Sequence, residues 1–380
     1  MAGKKRVKKS TRTNLITFLL VAVFWIVIEA LRSSGNLSSK ATGLLVPVCA
    51  YIIMAVSLNL VVGFLGELSL GHAAFMSAGA FAGVYFYTTL GASMPKYVAL
   101  VLAFLIGGTA AGLFGLLVGV PVLRFTGDYL AIVTLASGEI LKNILSAMYI
   151  GVDSEGLHFS LKDQFSLGMG ADGKMLLKGA MGITGIKKAS TFSMGIILII
   201  LTLIFVLNLM NSRAGRAITA IRDDEIAARS IGINITKYKL LAFVSAAVFA
   251  GFAGVLYALN YASLVADKFD YNLSINVLVM VVLGGMGNVP GSMIAAVILT
   301  VLPELLRGFS QYRMFIYSIV LIVIMLFNQA PAFVAWRERL VMRLHTGRGE
   351  AQSSSTLEGA ESDAVEQKFF EKKREREEEK

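Results

Sequence analysis

The sequence predicts an all-α polytopic membrane protein with about ten membrane segments, including a broken helical hairpin, and a short charged helix on the cytoplasmic side. Three observations predict it. The 380 residues are 56% hydrophobic and only 16% charged, against about 25% charged in ordinary soluble domains. Apolar runs recur that reach or approach the roughly 20 residues an α-helix needs to cross a bilayer. The basic residues that set a net charge of +10 cluster beside those runs, which is the pattern of cytoplasmic loops. That placement assigns the positive charge to a lipid membrane and not to nucleic acid.

The chain opens on a basic stretch, MAGKKRVKKSTRTN, which forms a cytoplasmic N-terminus over 1–14. The run that follows, LITFLLVAVFWIVIEAL, is long for a signal-peptide core, and no clear A-x-A site comes after it. It reads as an uncleaved first span. Spans are expected at 15–31, 43–62, 68–90, 97–121, 129–150, 191–210, 239–264 and 314–335. Residues 274–306 are apolar but interrupted at GGMGNVPGS. Two readings of this stretch stand: a hairpin that returns to the same face, or one tilted span kinked at Pro290. The hairpin keeps the basic WRERLVMR segment in the cytoplasm, and the kink puts it outside. With the hairpin, a transmembrane domain covers 15–338 and both termini are cytoplasmic. Arg124 and the segment 211–238 then face the cytoplasm, and the long loop 151–190 lies outside as a small packed cap. The charged tail 339–380, with its SSS run and KFFEKKREREEEK end, is expected to be cytoplasmic and disordered.

Several chemistries are excluded by composition. Cys49 is the lone cysteine, and His72, His158 and His345 are far apart in sequence. No HExxH or CxxC spacing exists, so no metal-site or disulfide framework is written in the chain. No Walker GxxxxGK[ST] occurs either, so ATP hydrolysis by that route does not belong to this chain. What remains are polar and glycine positions inside apolar runs. Asn59, Gly63, Gly66, Ser69, Gly71 and His72 surround a glycine-rich turn, GFLGELSLG. Gly284, Gly285 and Gly287 form another. Such residues line a path or gate, or simply allow close helix packing. Glu139 is a charge near mid-span, with Lys142 and Asn143 one turn on. It either serves the path or forms a local neutralised pair.

Residues 213–239, RAGRAITAIRDDEIAARSIGINITKYK, interrupt the apolar pattern with six basic and three acidic residues. Asp223 or Asp224 can cap a helix N-terminus, Glu225 adds negative charge to its first turn, and Gly232 suits the left-handed position after its end. Asn234 or Thr236 can cap the span that follows. DDEIAARSIG therefore reads as about two helical turns. Ala227 and Ala228 are small enough for a partner to approach the backbone, and Arg222, Asp223, Asp224 and Arg229 can fix its register. The competing reading lays the helix on lipid headgroups through its arginines.

The stretch RAITAIRDDEIAARSIGINITKYKLLAF (216–243) closely resembles the permeases of branched-chain amino acid importers of the ATP-binding-cassette class. So do GDYLAIVTLASGEI (127–140), VLGGMGNVPGSMIAA (282–296) and NLVVGFLGELSLGHAAFM (59–76), in order across roughly 40–335. The chain departs where the family often has a TGG-type segment, here GVDSEG (151–156). The resemblance implies a multi-pass protein of the bacterial inner membrane. It implies a second, related permease subunit, two ATP-binding-cassette ATPase subunits that bind ATP and Mg, and an extracytoplasmic substrate-binding protein. This chain itself would need no cofactor and would not be an enzyme. The resemblance also makes 223–232 a coupling helix seated in the ATPase, with Arg222 beside it. A permease for urea, a simple sugar or a nucleoside stays open, as does an ion-driven secondary transporter working through Glu139.

Overall fold

The computed structural model describes residues 3–34, 38–125, 127–153, 156–162, 165–168 and 173–306, together with positions 315, 318, 319 and 322. The expected span 314–335, apart from those four positions, and the charged tail 339–380 lie outside the described residues. Helices α1 (Gly3–Ser33), α2 (Ser39–Asn59), α3 (His72–Thr89), α4 (Lys96–Val122), α5 (Asp128–Ala147) and α6 (Phe192–Asn211) follow one another. Two short helices come next, α7 (Arg213–Asp223) and α8 (Glu225–Ser230). The chain then re-enters the apolar region as α9 (Ile235–Ala258), α10 (Tyr271–Gly284) and α11 (Val289–Leu305). Among the described residues, five stretches are long and apolar enough to cross a membrane: Ala41–Leu65, α4, α5, α6 and α9.

The centre is built from α3, α4 and α9 packed on one another, with α2 beside α9. Small residues make this possible. A Cβ on Gly254 of α9 would overlap the backbone carbonyl of Met76 on α3, so the two helices meet backbone to backbone. In lipid such close approach is what drives helix association, because tails compete equally for any exposed leucine. The large aliphatic side chains of α4, such as Val101, Leu105, Leu113 and Leu117, point outward instead.

The all-α expectation needs one correction. Strands β1 (Tyr149–Asp153), β2 (Gly156–Ser160) and β3 (Lys174–Lys178) form an antiparallel sheet in the order β2-β1-β3. Strands β4 (Ile183–Thr184) and β5 (Ser263–Leu264) pair separately, Ile183 opposite Leu264. The expected cap is therefore a small β layer. It also shortens two expected spans: α5 stops at Ala147 and α9 at Ala258, because the residues after them pair as strands or turns. Short, half-apolar pieces such as KMLLK cannot bury a face as helices, and they satisfy their backbone by pairing with each other.

The interrupted stretch 274–306 is two helices, α10 and α11, joined at 285–288 and packed against each other. A Cβ on Gly284 would overlap the backbone of Gly291 and Ser292, which brings the two arms together at the turn. Asn288 caps α11 by accepting from Gly291 N–H at 3.4 Å, and Pro290 sits in its first turn, where no N–H is required. The stretch is not one continuous helix kinked at Pro290.

Replacing Gly254 by leucine is expected to push α3 from α9 and to destabilise the purified protein by about 3 kcal/mol. Gly43→Ala, at an exposed helical position with nothing within 4 Å of the added Cβ, is expected to stabilise by up to about 1 kcal/mol. Thermal unfolding in detergent reads both.

Candidate functional site

Two breaks in helical structure meet at Asn59. Helix α2 ends there and continues as a π-helical turn, Leu60–Leu65. The Asn59 side chain is fully buried. Its Nδ2 donates to Ser292 Oγ on α11 at 2.9 Å, and its Oδ1 accepts from Gly287 N–H at 2.8 Å. One carboxamide thus ties α2 to the hairpin turn, where Gly285 and Gly287 hold φ of 93° and 78°. Gly63 lies so close that a Cβ there would overlap Asn59 Oδ1 and Gly287 N. Four glycines singled out in the sequence, Gly63, Gly284, Gly285 and Gly287, therefore surround this knot.

The chain then turns through residues 66–71. Gly66 sits at φ 82° and ends the π-helical turn. Leu70 N–H donates to Thr134 Oγ1 of α5 at 3.1 Å, and Gly71 is pressed against the Thr134 carbonyl. Ala73 N–H donates to Ser274 Oγ of α10 at 3.0 Å. His72 is buried, with Nε2 2.9 Å from Ser57 Oγ and its ring edge-on to Phe75. Ser69 is also buried, and its Oγ has no hydrogen-bond partner among the described residues. Asn59, Ser69 and His72 are each buried among the chain's own helices.

The charged segment is organised by caps. Ser212 Oγ accepts from Ala214 and Gly215 N–H and starts α7. Of the two candidate caps, Asp224 starts α8: its Oδ1 accepts from Ile226 N–H at 2.8 Å and Ala227 N–H at 2.9 Å. Asp223 instead pairs with Arg222 at 3.0 Å. Gly232 stands at φ 84° just past the helix, and Ile233 N–H closes back onto the Ala228 carbonyl. Asn234 caps α9 through Lys237 N–H. Helix α8 is six residues long, about 9 Å, slightly shorter than the sequence suggests. Its two alanines diverge. Ala228 is buried in a cluster with Leu60, Leu65, Ile218 and Ile221, whereas Ala227 is exposed. The outward apolar surface comes from residues sequence reasoning passed over: Ile226 and Ile231 are 80% and 75% exposed.

Ionic contacts join this segment to the turn. Lys239 Nζ, on a side chain only 3% exposed, lies 2.5 Å from Glu67 Oε1 and 2.9 Å from Glu225 Oε2. Arg229 holds the other oxygen of Glu225 at 3.0 Å. The Lys239 hydrogen bond, partly opposed by burial and aided by both positive charges, holds the Glu225 carboxyl below its usual range. This contribution to stability is complete above the ordinary carboxylate range and is lost as pH falls through the lowered value. Arg222 Nη1 donates to the Gly63 carbonyl at 3.2 Å, and its stem lies over Gly66. Glu67 and Lys239 carry no local sequence signal as a pair, being 172 residues apart.

Glu139 occupies a separate place. It pairs with Lys142 at 2.5 Å, and Oε1 accepts from Tyr271 N–H, the first residue of α10, at 3.1 Å. Asp270 caps the same helix through Leu273 N–H. The Glu139 carboxylate thus meets the positive end of α10 as well as a lysine. Asn143 is exposed on α5, beside exposed Ile140 and Ile144. Among the described residues no group of His, Cys, Asp and Glu could hold a metal ion. A cleft of about 560 Å³ opens where the β layer meets the α3–α4 connection, lined by Tyr87, Thr88, Lys96, Met175 and Lys187 among others.

Comparison with known proteins gives these features a context. Residues 41–327 match the family described as branched-chain amino acid transport system / permease component. The chain is 33% identical over 347 residues to the high-affinity branched-chain amino acid transport system permease protein LivM of Salmonella typhimurium, covering 88% of this chain and 78% of that one. It is 22% identical over 337 residues to the fructose import permease protein FruG of Bifidobacterium longum, covering 85% and 93%. A shorter match, 32% over 117 residues, covers 30% of this chain and 38% of the permease protein LivH of Escherichia coli. The chain belongs to the family of permease components of branched-chain amino acid transport systems.

Proposed function

We propose that this chain is a membrane-spanning permease subunit of an ATP-driven importer in the bacterial inner membrane, with branched-chain or similarly hydrophobic amino acids as its solutes. The observation that carries the reading is the family match over residues 41–327. The identity to LivM over most of the chain supports the amino acid class. In this reading α1–α6, α9, α10, α11 and the stretch 314–335 make ten membrane segments. The segment 211–238, the 285–288 turn and both termini face the cytoplasm, which agrees with the basic residues on α7 and α8.

The helix from Asp224 to Gly232 docks on an ATPase subunit. Its caps, its two exposed isoleucines and its short links to α7 and α9 support that role, since a docking element must carry load without bending. Two such ATPase subunits bind the ATP and Mg, a second permease chain of the LivM–LivH kind completes the path, and an extracytoplasmic binding protein delivers the solute. This chain holds no cofactor. The exposed Asn143 and the partly exposed Glu139–Lys142 pair lie on the wall of the path. Asn59, Gly63, Gly66, Ser69, Gly71, His72, Gly284, Gly285 and Gly287 frame it from within.

Reconstitution with both ATPase subunits, the second permease and the binding protein tests the reading. Leucine uptake that requires ATP is expected. Uptake driven by an ion gradient without the ATPase, or ATP-driven uptake of fructose and not of leucine, overturns it. Gly232→Val, which forces a β-branched residue into the left-handed region, is expected to lower leucine moved per ATP hydrolysed by about tenfold while the protein remains in the membrane. An unchanged ratio removes the docking role of α8.

A further inference from the structure

Helix α8 and the turn 66–71 belong to distant parts of the sequence, and one buried cation holds them together. Lys239 is the fifth residue of α9. Its ammonium group bonds Glu67, in the non-helical turn, and Glu225, the first residue of α8. Glu225 is used from both sides, Oε2 by Lys239 within and Oε1 by Arg229 at the surface. Arg222 makes a parallel connection, from the end of α7 to the Gly63 carbonyl. The α7–α8 corner is therefore tied to Gly63 in the π-helical turn and, through Lys239, to Glu67 just after it.

The turn reaches onward as well. Leu70, in the turn, bonds Thr134 on α5, and Ala73, at the start of α3 just after it, bonds Ser274 on α10, so the turn is tied directly to α5 and, through the start of α3, to α10. The contact to Glu67 resists separation, because pulling these two mostly buried groups apart leaves the Glu67 carboxylate without a cation where little water reaches it. Sliding α8 and the α9 end while leaving Glu67 in place would do this. Moving α8, the α9 end and the turn as one body would not.

We propose that the Glu67–Lys239–Glu225 bridge is the link that carries movement of the ATPase-docked helix α8 into the turn at the end of the path, with Lys239 as its positioning residue. This rests on the docking of α8 argued above. The bridge does not choose the solute and does not touch it. It sets whether nucleotide events reach the turn.

The test uses a distance readout that needs no solute. Spin labels are placed at Leu68→Cys, in the turn, and Val120→Cys, exposed near the end of α4. Cys49, the native cysteine, is fully buried. The complex with its ATPase subunits is compared with and without trapped ATP. In the wild-type background a nucleotide-dependent shift in label distance is expected. Lys239→Met leaves Glu67 without its cation and Glu225 with Arg229 alone, so it is expected to lose the shift and to unfold at lower temperature. The triple variant Lys239→Met, Glu67→Gln, Glu225→Gln removes the stranded charges, so thermal stability is expected to return while the shift stays lost. Glu67→Ala, in which Glu225 still neutralises Lys239, is expected to lose the shift as well. A shift that recovers with stability in the triple variant, or persists in Glu67→Ala, makes the bridge purely structural and overturns the proposal. So does the absence of any shift in the wild-type background. A wild-type shift without leucine uptake in the full complex overturns the amino acid reading and leaves the link standing.

Discussion

The carboxamide of Asn59 is the interaction on which the rest of the site depends. At this point helix α2 gives way to a π-helical turn, and a second chain reversal arrives from 285–288. Non-helical backbone within a membrane protein must be satisfied by protein, because lipid offers no partner. Asparagine carries both a donor and an acceptor on one short side chain. Here the acceptor takes the Gly287 amide and the donor takes the Ser292 hydroxyl. Each group left unpaired in this place would cost about 1–3 kcal/mol. The glycines follow from it: Gly63 and Gly284 clear the space that lets the two breaks touch.

From that knot the organisation runs outward to the water-exposed segment. Arg222 reaches the Gly63 carbonyl, and Lys239 reaches Glu67. The segment that bears Arg222 has little freedom of its own, since Ser212, Asp224 and Asn234 cap three successive helices. Its apolar face, Ile218, Ile221 and Ala228, is buried against Leu60 and Leu65 of the π-helical turn. A rigid surface element is thus fastened by packing, by hydrogen bonds and by charge to the place where two membrane helices are interrupted. The docking role proposed for α8 needs this kind of continuity.

The legible parts of this fold were those written locally. The break in GGMGNVPGS and the start and stop of α8 depend on Gly, Pro and Asp at fixed offsets from helix ends, and neighbouring residues suffice to read them. The apolar runs placed the helices for the same reason, although α1 begins at Gly3, well before the expected start at 15, and α9 ends at Ala258. The β layer was not legible, because its short strands find partners far along the chain, with β4 pairing across to β5. The direction of Ala228 was missed because two adjacent alanines on a short helix look alike until a core lies on one side. The ion bridge at Lys239 joins residues 172 positions apart, and a lysine near the start of an apolar run reads as an ordinary end-of-span charge. Asn59 and His72 stand out in the sequence as polar groups in apolar runs, but their partners Ser292, Gly287 and Ser57 come from other parts of the chain.

The central claim is that α8 meets an ATPase subunit through its exposed face. A photoreactive residue at position 226, where Ile226 is 80% exposed, tests it most directly in the assembled complex. Cross-linking to the ATPase subunit, lost when that subunit is omitted, is the expected result. Cross-linking to lipid or to the second permease chain with the ATPase present would contradict it.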